Sequence, residues 1–295
     1  MFLVVLYRVP TEWNKRIFES YLNSVGFTDP VVHVIPEAVD VELFDRSQVT
    51  TAKAPWTGNA MCENSGVAAS PDQRTTFEFL SIFKWERRKG WDILLDSYWA
   101  AFSSTDDVLL RLHTYVPSWV RGETNVTRIM EEYALSKHGK LLSELASVVW
   151  ENNNGVKPML SRAGVRDLYA SADAFVLPTR GEGWGLPIAE AMSMELPVIV
   201  SNFSGPAVFA NSENAYMIPM TEEFDNLGFA TPNSEALIDI FREVVADSCP
   251  SGTTVPITTL KAKEGRKAIS SWSPDRVVDE MVTRIRALAG QRGYF

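Results

Sequence analysis

The sequence predicts an α/β protein built on a parallel sheet with helices on both faces. Three observations predict it. Short runs such as 77–83, 107–113, 174–178 and 196–200 have the length of strands and are largely apolar rather than alternating, as strands buried on both faces are. Segments with apolar residues at helical spacing separate them, as crossovers between parallel strands require. A turn with three glycines comes after one of the strands, and such sheets bind ligands beyond the carboxyl ends of their strands.

In chain order, residues 10–25 read as a helix that Thr11 can cap, with Ile17, Tyr21 and Leu22 on one side. Residues 30–36 form a short buried strand. Residues 45–75 are rich in Ser, Thr, Ala, Gly, Asn and Pro and read as a linker or mobile loop. The strand at 77–83 leads to a helix carrying Trp91, Leu94, Leu95, Tyr98 and Phe102. A strand at 107–113, a mostly helical stretch at 124–146 and a strand at 147–150 come next. Then come a helix at 161–172, a strand at 174–178, a helix at 187–194, and strands at 196–200 and 216–219. Helices fill 233–247, 256–270 and 274–289; Ser273 before Pro274 is a cap followed by a proline at the first helical position. No internal repeat is evident.

The chain has 295 residues, enough for one large domain or two small ones, and at 45% hydrophobic and 22% charged it can build a core. Its formal net charge of −9 argues against nucleic acid as a partner. No apolar run has the length of a membrane span. The apolar start, Met1 to Tyr7, is not preceded by a basic region and no small-residue cleavage site comes after it, so a signal peptide is not expected. Cys62 and Cys249 match no metal spacing, and a reducing, cytoplasmic compartment is the plainer reading. Asn125-Val-Thr and Asn202-Phe-Ser fit the glycosylation pattern, which arises often by chance.

The informative segment is Thr179-Arg-Gly-Glu182-Gly-Trp-Gly-Leu-Pro-Ile-Ala-Glu190. Gly181, Gly183 and Gly185 let the backbone approach a ligand closely. Pro187 suits the first helical position. Free N–H groups of that first turn favour an anion, and Glu190 is placed to accept hydrogen bonds from a vicinal diol such as ribose. The same residues also fit a tight turn with an acidic side chain complementing the helix dipole. A dinucleotide-binding loop is excluded, because Leu186 stands where the third glycine belongs and no acid falls between Ser201 and Ser212. A second candidate is Lys84-Trp-Glu-Arg-Arg-Lys89-Gly90, a basic loop between a strand and a helix, which reads either as an anion site or as a solvated basic turn. A third is Ser201 to Pro206, which also reads as an ordinary turn. His33, His113 and His138 lack partner motifs and read as structural or exposed. Trp85 and Trp184 flank the two loops and fit packing better than stacking on a ligand.

Taken together, these segments resemble the Glu-x7-Glu block of retaining glycosyltransferases of the GT-B fold, family 4. Leu168 to Pro178 looks like the helix and strand that precede the block in that family, and Leu196 to Gly205 looks like the segment on its C-terminal side. Ser81 to Gly90 is similar to the family's Gly-Arg-Leu…Lys-Gly loop, with Lys84 in place of the usual Arg. Val4 to Phe44 looks like the hinge entering the C-terminal domain. The resemblance implies a Rossmann-like domain, the C-terminal half of a GT-B fold, that holds a nucleotide diphospho-sugar without a further cofactor or metal. By position, Lys84 and Lys89 would contact the diphosphate. Glu182 would act at the transferred sugar, near the anomeric carbon. Gly183, Trp184, Gly185 and Leu186 would offer backbone N–H groups. Glu190 would hold the ribose, Ser204 and Gly205 would close over the same crevice, and the base would meet the region from Trp150 to Lys157.

The organisation expected on that resemblance is an entry segment at 1–45 from an absent N-terminal domain, a linker at 46–75, a nucleotide-sugar-binding domain at 76–272 and a C-terminal helix at 273–295. The expected activity is hexosyl transfer with retention, to an acceptor the sequence does not identify. Without that N-terminal domain, the sequence reads as a fragment, as a chain that works with a separate acceptor domain or subunit, or as a remnant, and the alternative activity is that of a non-catalytic nucleotide-sugar-binding or scaffolding subunit. A phosphorylase fits less well, because no pyridoxal-phosphate lysine motif is present.

Overall fold

The computed structural model describes residues 7–27, 32–49, 56, 58, 61–62, 74–151, 160–224, 228–249 and 255–291. At the N-terminal side, strands β1 (Tyr7–Val9) and β2 (Val32–Val34) pair in parallel, joined by helix α1 (Glu12–Ser24). Thr11 caps α1 by accepting from the Asn14 N–H at 3.1 Å. The expected linker at 46–75 lies largely outside the described residues.

The main sheet comes next. Strand β3 (Phe77–Lys84) leads through α2 (Trp91–Ala101) to β4 (Val108–Tyr115), then through α3 (Val126–Tyr133) to β5 (Ser147–Trp150). Helix α4 (Arg162–Ala170) leads to β6 (Ala174–Leu177), α5 (Leu186–Ser193) to β7 (Val198–Ser201), and a turn to β8 (Tyr216–Ile218). These six strands form one sheet in the order β5-β4-β3-β6-β7-β8, and every pairing is parallel. The stretch 124–146 is mostly helical, as expected: α3 runs directly into a π turn at Ala134–His138, which ends on Gly139 in the left-handed region, φ 64°, and a 3-10 turn follows at Leu142–Glu144. An antiparallel hairpin, β9 (Met220–Phe224) and β10 (Ala230–Pro232), was not expected from sequence. Helices α6 (Ser234–Ser248), α7 (Ile257–Ile269) and α8 (Pro274–Gln291) complete the described chain.

Both faces of the sheet are covered. Phe79 pairs with Ala174 while its neighbour Leu80 pairs with Phe175, so Phe79 and Phe175 point to opposite faces. The Phe79 ring meets Tyr98 and Phe102 near α2 and Phe241 of α6. Phe175 meets Tyr169 of α4 on the other side. Partly buried ion pairs tie the strand ends on that second face: Arg111 bonds Glu78, Glu151 and Ser171, and Arg74 grips Asp173 with both guanidinium nitrogens. No helix among the described residues is long and apolar enough to cross a membrane.

Cys62 and Cys249 form a disulfide, with Cα atoms 5.7 Å apart across 187 residues of sequence. This corrects the reading of the cysteines as reduced. That reading rested on their separation along the chain, which says nothing of their separation in the fold. The argument they gave for a cytoplasmic location goes with it.

Phe79 is fully buried, and its ring neighbours come from two helices and the adjoining strand residue Phe77. Phe79→Ala is expected to lower the unfolding free energy by about 3–5 kcal/mol, and Phe79→Leu by a smaller amount, measured by urea denaturation.

Candidate functional site

The chain leaves β3 toward β4 on one side and leaves β6 toward β7 on the other, yet β3 and β6 are neighbours. The strand order reverses between them, and a crevice opens at such a switch point beyond the carboxyl ends of the strands. The basic turn after β3 and the Gly-rich turn after β6 flank that crevice. Both were singled out from sequence, and the sheet order is what brings them together.

The two turns are stitched to each other. The Arg88 carbonyl accepts from the Arg180 N–H at 2.8 Å and from the Thr179 hydroxyl at 3.1 Å. The Arg88 guanidinium returns a bond to the Gly181 carbonyl at 2.7 Å. Arg180, buried, grips Asp92 with both nitrogens at 2.8 Å and bonds the Arg87 carbonyl at 2.7 Å. Gly90 ends the basic turn with φ 71°, and a Cβ there would lie 1.9 Å from the Pro178 carbonyl oxygen. Only glycine lets the turn approach β6 this closely.

Glu182 sits at the centre and is 7% exposed. Its Oε1 lies 2.5 Å from Lys89 Nζ and 3.1 Å from the Thr179 hydroxyl, and its Oε2 lies 3.2 Å from Arg88. Burial pushes the Lys89 ammonium below its usual pKa; Glu182's charge opposes that and Arg88's charge adds to it. Arg88 is shared with Glu86, whose Oε2 lies 3.4 Å from its guanidinium, so the cluster sets two cations against two carboxylates. Arg88 was read only as part of a basic run. Its position directly before Lys89 was the available signal. Lys84 is placed differently: it is exposed at the end of β3 with Nζ over the Trp119 ring, 5.3 Å from the centroid.

The turn after β7 supports Glu182 from the opposite side. The Ser204 hydroxyl accepts the Glu182 N–H at 2.9 Å, and the Gly205 N–H donates to the Glu182 carbonyl at 3.1 Å. Ser204 adopts φ 58°, a left-handed conformation that a serine holds only when its surroundings fix it. A Cβ on Gly205 would lie 2.6 Å from the Gly183 carbonyl oxygen. Ser204 and Gly205 therefore turn these polar groups to Glu182. Trp184 points inward, 3% exposed, between Phe209 and Trp272, and Trp85 is buried as well. Neither indole is a stacking platform. Gly185, φ 102°, starts α5, and Leu186 is exposed at its first turn. From the N-terminal side, Trp13 rests on Phe203 and Phe229 and Asn14 lies over Gly183. Nothing in the local sequence signals that contact.

Glu190 lies in the next turn of α5 and is surrounded differently. It has no ion-pair partner among the described residues. Its Oε2 lies 3.1 Å from the Tyr169 hydroxyl, which is also 3.0 Å from the Pro187 carbonyl. Burial raises its pKa to about 7, against the Tyr169 hydrogen bond and the charge of Arg162, which lower it. Of the stretch expected near a base, Trp150 and Glu151 are described, and the remainder lies outside the described residues. Trp150 is buried and donates from its indole to the Thr114 carbonyl at 2.9 Å.

Solved structures with the same fold are found among sugar-transferring proteins. Sucrose-phosphate synthase from Thermosynechococcus elongatus superposes with a TM-score of 0.64 at 18% identity, over 97% of this chain and 59% of that one. An α,α-trehalose-phosphate synthase from Burkholderia vietnamiensis gives 0.63 at 12% identity, over 96% and 59%. An Anabaena protein solved with UDP and glucose gives 0.59 at 15% identity, over 96% and 62%. The chain thus spans about three fifths of the length of these structures. No curated protein matches it in sequence. The family model described as "Glycosyl transferases group 1" matches residues 75–230, which contain β3 to β8, most of the hairpin and both turns of the crevice. The chain belongs to the glycosyl transferases group 1 family.

Proposed function

We propose that the chain is the donor-binding part of a retaining glycosyltransferase that moves a hexosyl group from a nucleotide diphospho-sugar to a separate acceptor. The observation that carries this reading is Glu182 held between Lys89 and Arg88 at the switch point, beside the start of α5. A group that must meet both sugar hydroxyls and a diphosphate needs a carboxylate and cations in one place.

In this reading Arg88 and Lys89 face the diphosphate, with Lys84 further out. As the sugar–phosphate bond breaks, negative charge grows on the leaving diphosphate, and fixed cations with helix N–H groups stabilise it there. The N–H groups at Gly183 to Leu186 supply the second part of that cradle. Glu182 accepts hydrogen bonds from the transferred sugar, and Glu190 accepts them from the ribose diol. No further cofactor enters the scheme. The UDP and glucose in the Anabaena structure make UDP-glucose the first donor to test.

Calorimetric titration with UDP-glucose, ADP-glucose and GDP-mannose in turn is expected to show saturable binding of one of them. Lys89→Met and Arg88→Met should each weaken it at least tenfold, about 1.4 kcal/mol or more. Saturation by none of the three, or binding untouched by these substitutions, rejects the reading.

Gly205→Ala makes an independent prediction. The added methyl would press on the Gly183–Trp184 backbone and displace Glu182 from behind, without changing the chemistry of any proposed donor-binding side chain. Donor binding should fall more than tenfold while far-ultraviolet circular dichroism stays that of the parent protein.

A further inference from the structure

The surroundings of Glu190 pose a question of hydrogen count. The Tyr169 hydroxyl carries one proton and faces two acceptors, the Pro187 carbonyl at 3.0 Å and Glu190 Oε2 at 3.1 Å. Tyr169 is fully buried, and burial holds its phenol far above ordinary pH, so it does not ionise. If Glu190 is a carboxylate, one of the two acceptors faces bare phenol oxygen. If Glu190 is a neutral acid, every group is satisfied: Glu190 donates to Tyr169, and Tyr169 donates to Pro187.

Nearby charges do not resolve the matter in favour of the carboxylate. Among the described residues Arg162 of α4 is the one cation acting on Glu190, and it is exposed and drawn to Asp40 at 3.4 Å. Arg88 and Lys89 are engaged by Glu182. Arg266 of α7 is bound to Asp45 and to Ser193 at the far end of α5.

We propose that Glu190 carries a proton in the ligand-free protein and releases it when a vicinal diol binds, with Tyr169 as the positioning residue that holds the carboxyl in both states. The inference rests on the reading of Glu190 as the group that meets the ribose. On binding, the two diol hydroxyls donate to the carboxylate, the acid proton leaves to the buffer, and the Tyr169 proton is free to turn to the charged oxygen, its stronger acceptor. Burial of the carboxyl, which raises its pKa to about 7, agrees with the hydrogen count.

Two measurements test this. The first needs no ligand. A carboxyl whose folded pKa lies above its unfolded value binds its proton more tightly in the folded state, so stability falls as pH rises from about 4.5 to about 7 and levels off above. Glu190→Gln keeps the shape and cannot ionise. Its melting temperature should match wild type to within about 1 °C at pH 4.5 and exceed it by roughly 5 °C at pH 8. Parallel melting curves across that range overturn the proposal, whatever the protein binds.

The second uses the donor that binds in the preceding titration, a diphosphate diester that does not itself titrate near neutrality. Affinity should rise about tenfold per pH unit below about pH 7 and then level off. Near pH 6, buffers of different ionisation enthalpy should report close to one proton released per donor bound. Glu190→Gln should bind more weakly and with no pH dependence. Tyr169→Phe should move the midpoint upward, because the charged carboxylate loses its phenol partner while its burial remains. Donor binding that is flat with pH in the wild-type protein overturns this proposal and leaves the donor reading intact. Absence of binding at every pH overturns both.

Discussion

The buried contact between Lys89 and Glu182 is the constraint around which the crevice is arranged. Two opposite charges this poorly hydrated depend on each other, since either alone would be a costly buried charge. Lys89 comes from the turn after β3 and Glu182 from the turn after β6, so the pair fixes the distance between two strand ends. Arg180 on Asp92, the Arg88 carbonyl shared by Arg180 and Thr179, and the glycine at position 90 all serve that distance. Ser204 and Gly205 then hold the Glu182 backbone from the third strand end. Three loops that are far apart in sequence converge on one residue, Glu182.

Much of this was legible in the sequence. The strands of the main sheet announce themselves because strands buried on both faces are apolar runs, and 77–83 and 174–178 are of that kind. The two loops stood out in the sequence because glycines and cations cluster in them, although each also read as an ordinary turn. Which cation faces Glu182 was not legible. Lys84 and Arg88 differ only in where the chain turns after β3, and that turn is set by Gly90 packing on Pro178, a contact with no local signature. The hairpin at 220–232 was missed for a related reason. Its first strand, Met-Thr-Glu-Glu-Phe, is short and largely exposed, so it lacks the apolar pattern that marks a strand. The seating of Trp13 on Phe203 and Phe229 is a long-range contact between aromatic residues whose local sequence says nothing about their partners.

The two glutamates that are eight residues apart turn out to be chemically unlike. Glu182 lies within ion-pair distance of both Lys89 and Arg88. Glu190 lies against a phenol already claimed by a carbonyl. The same side chain is thereby given two settings, one inside an ion-pair cluster and one with a phenol partner and no ion pair among the described residues. Burial alone does not separate them, since Glu182 is the more buried of the two. The partners do.

The disulfide between Cys62 and Cys249 has a bearing on the whole domain. It closes a covalent ring that contains every strand of the main sheet and each of the three loops of the crevice. Closing a ring of that length removes conformational entropy from the unfolded chain, by a chain-statistical estimate worth about 5 kcal/mol. Inside the ring the sheet edges cannot drift apart without limit, and a single backbone cut in one of its loops leaves both pieces joined. The crevice is thus enclosed by a covalent perimeter, and its persistence in a damaged or partly unfolded molecule is tied to the redox state of two residues that lie outside the crevice.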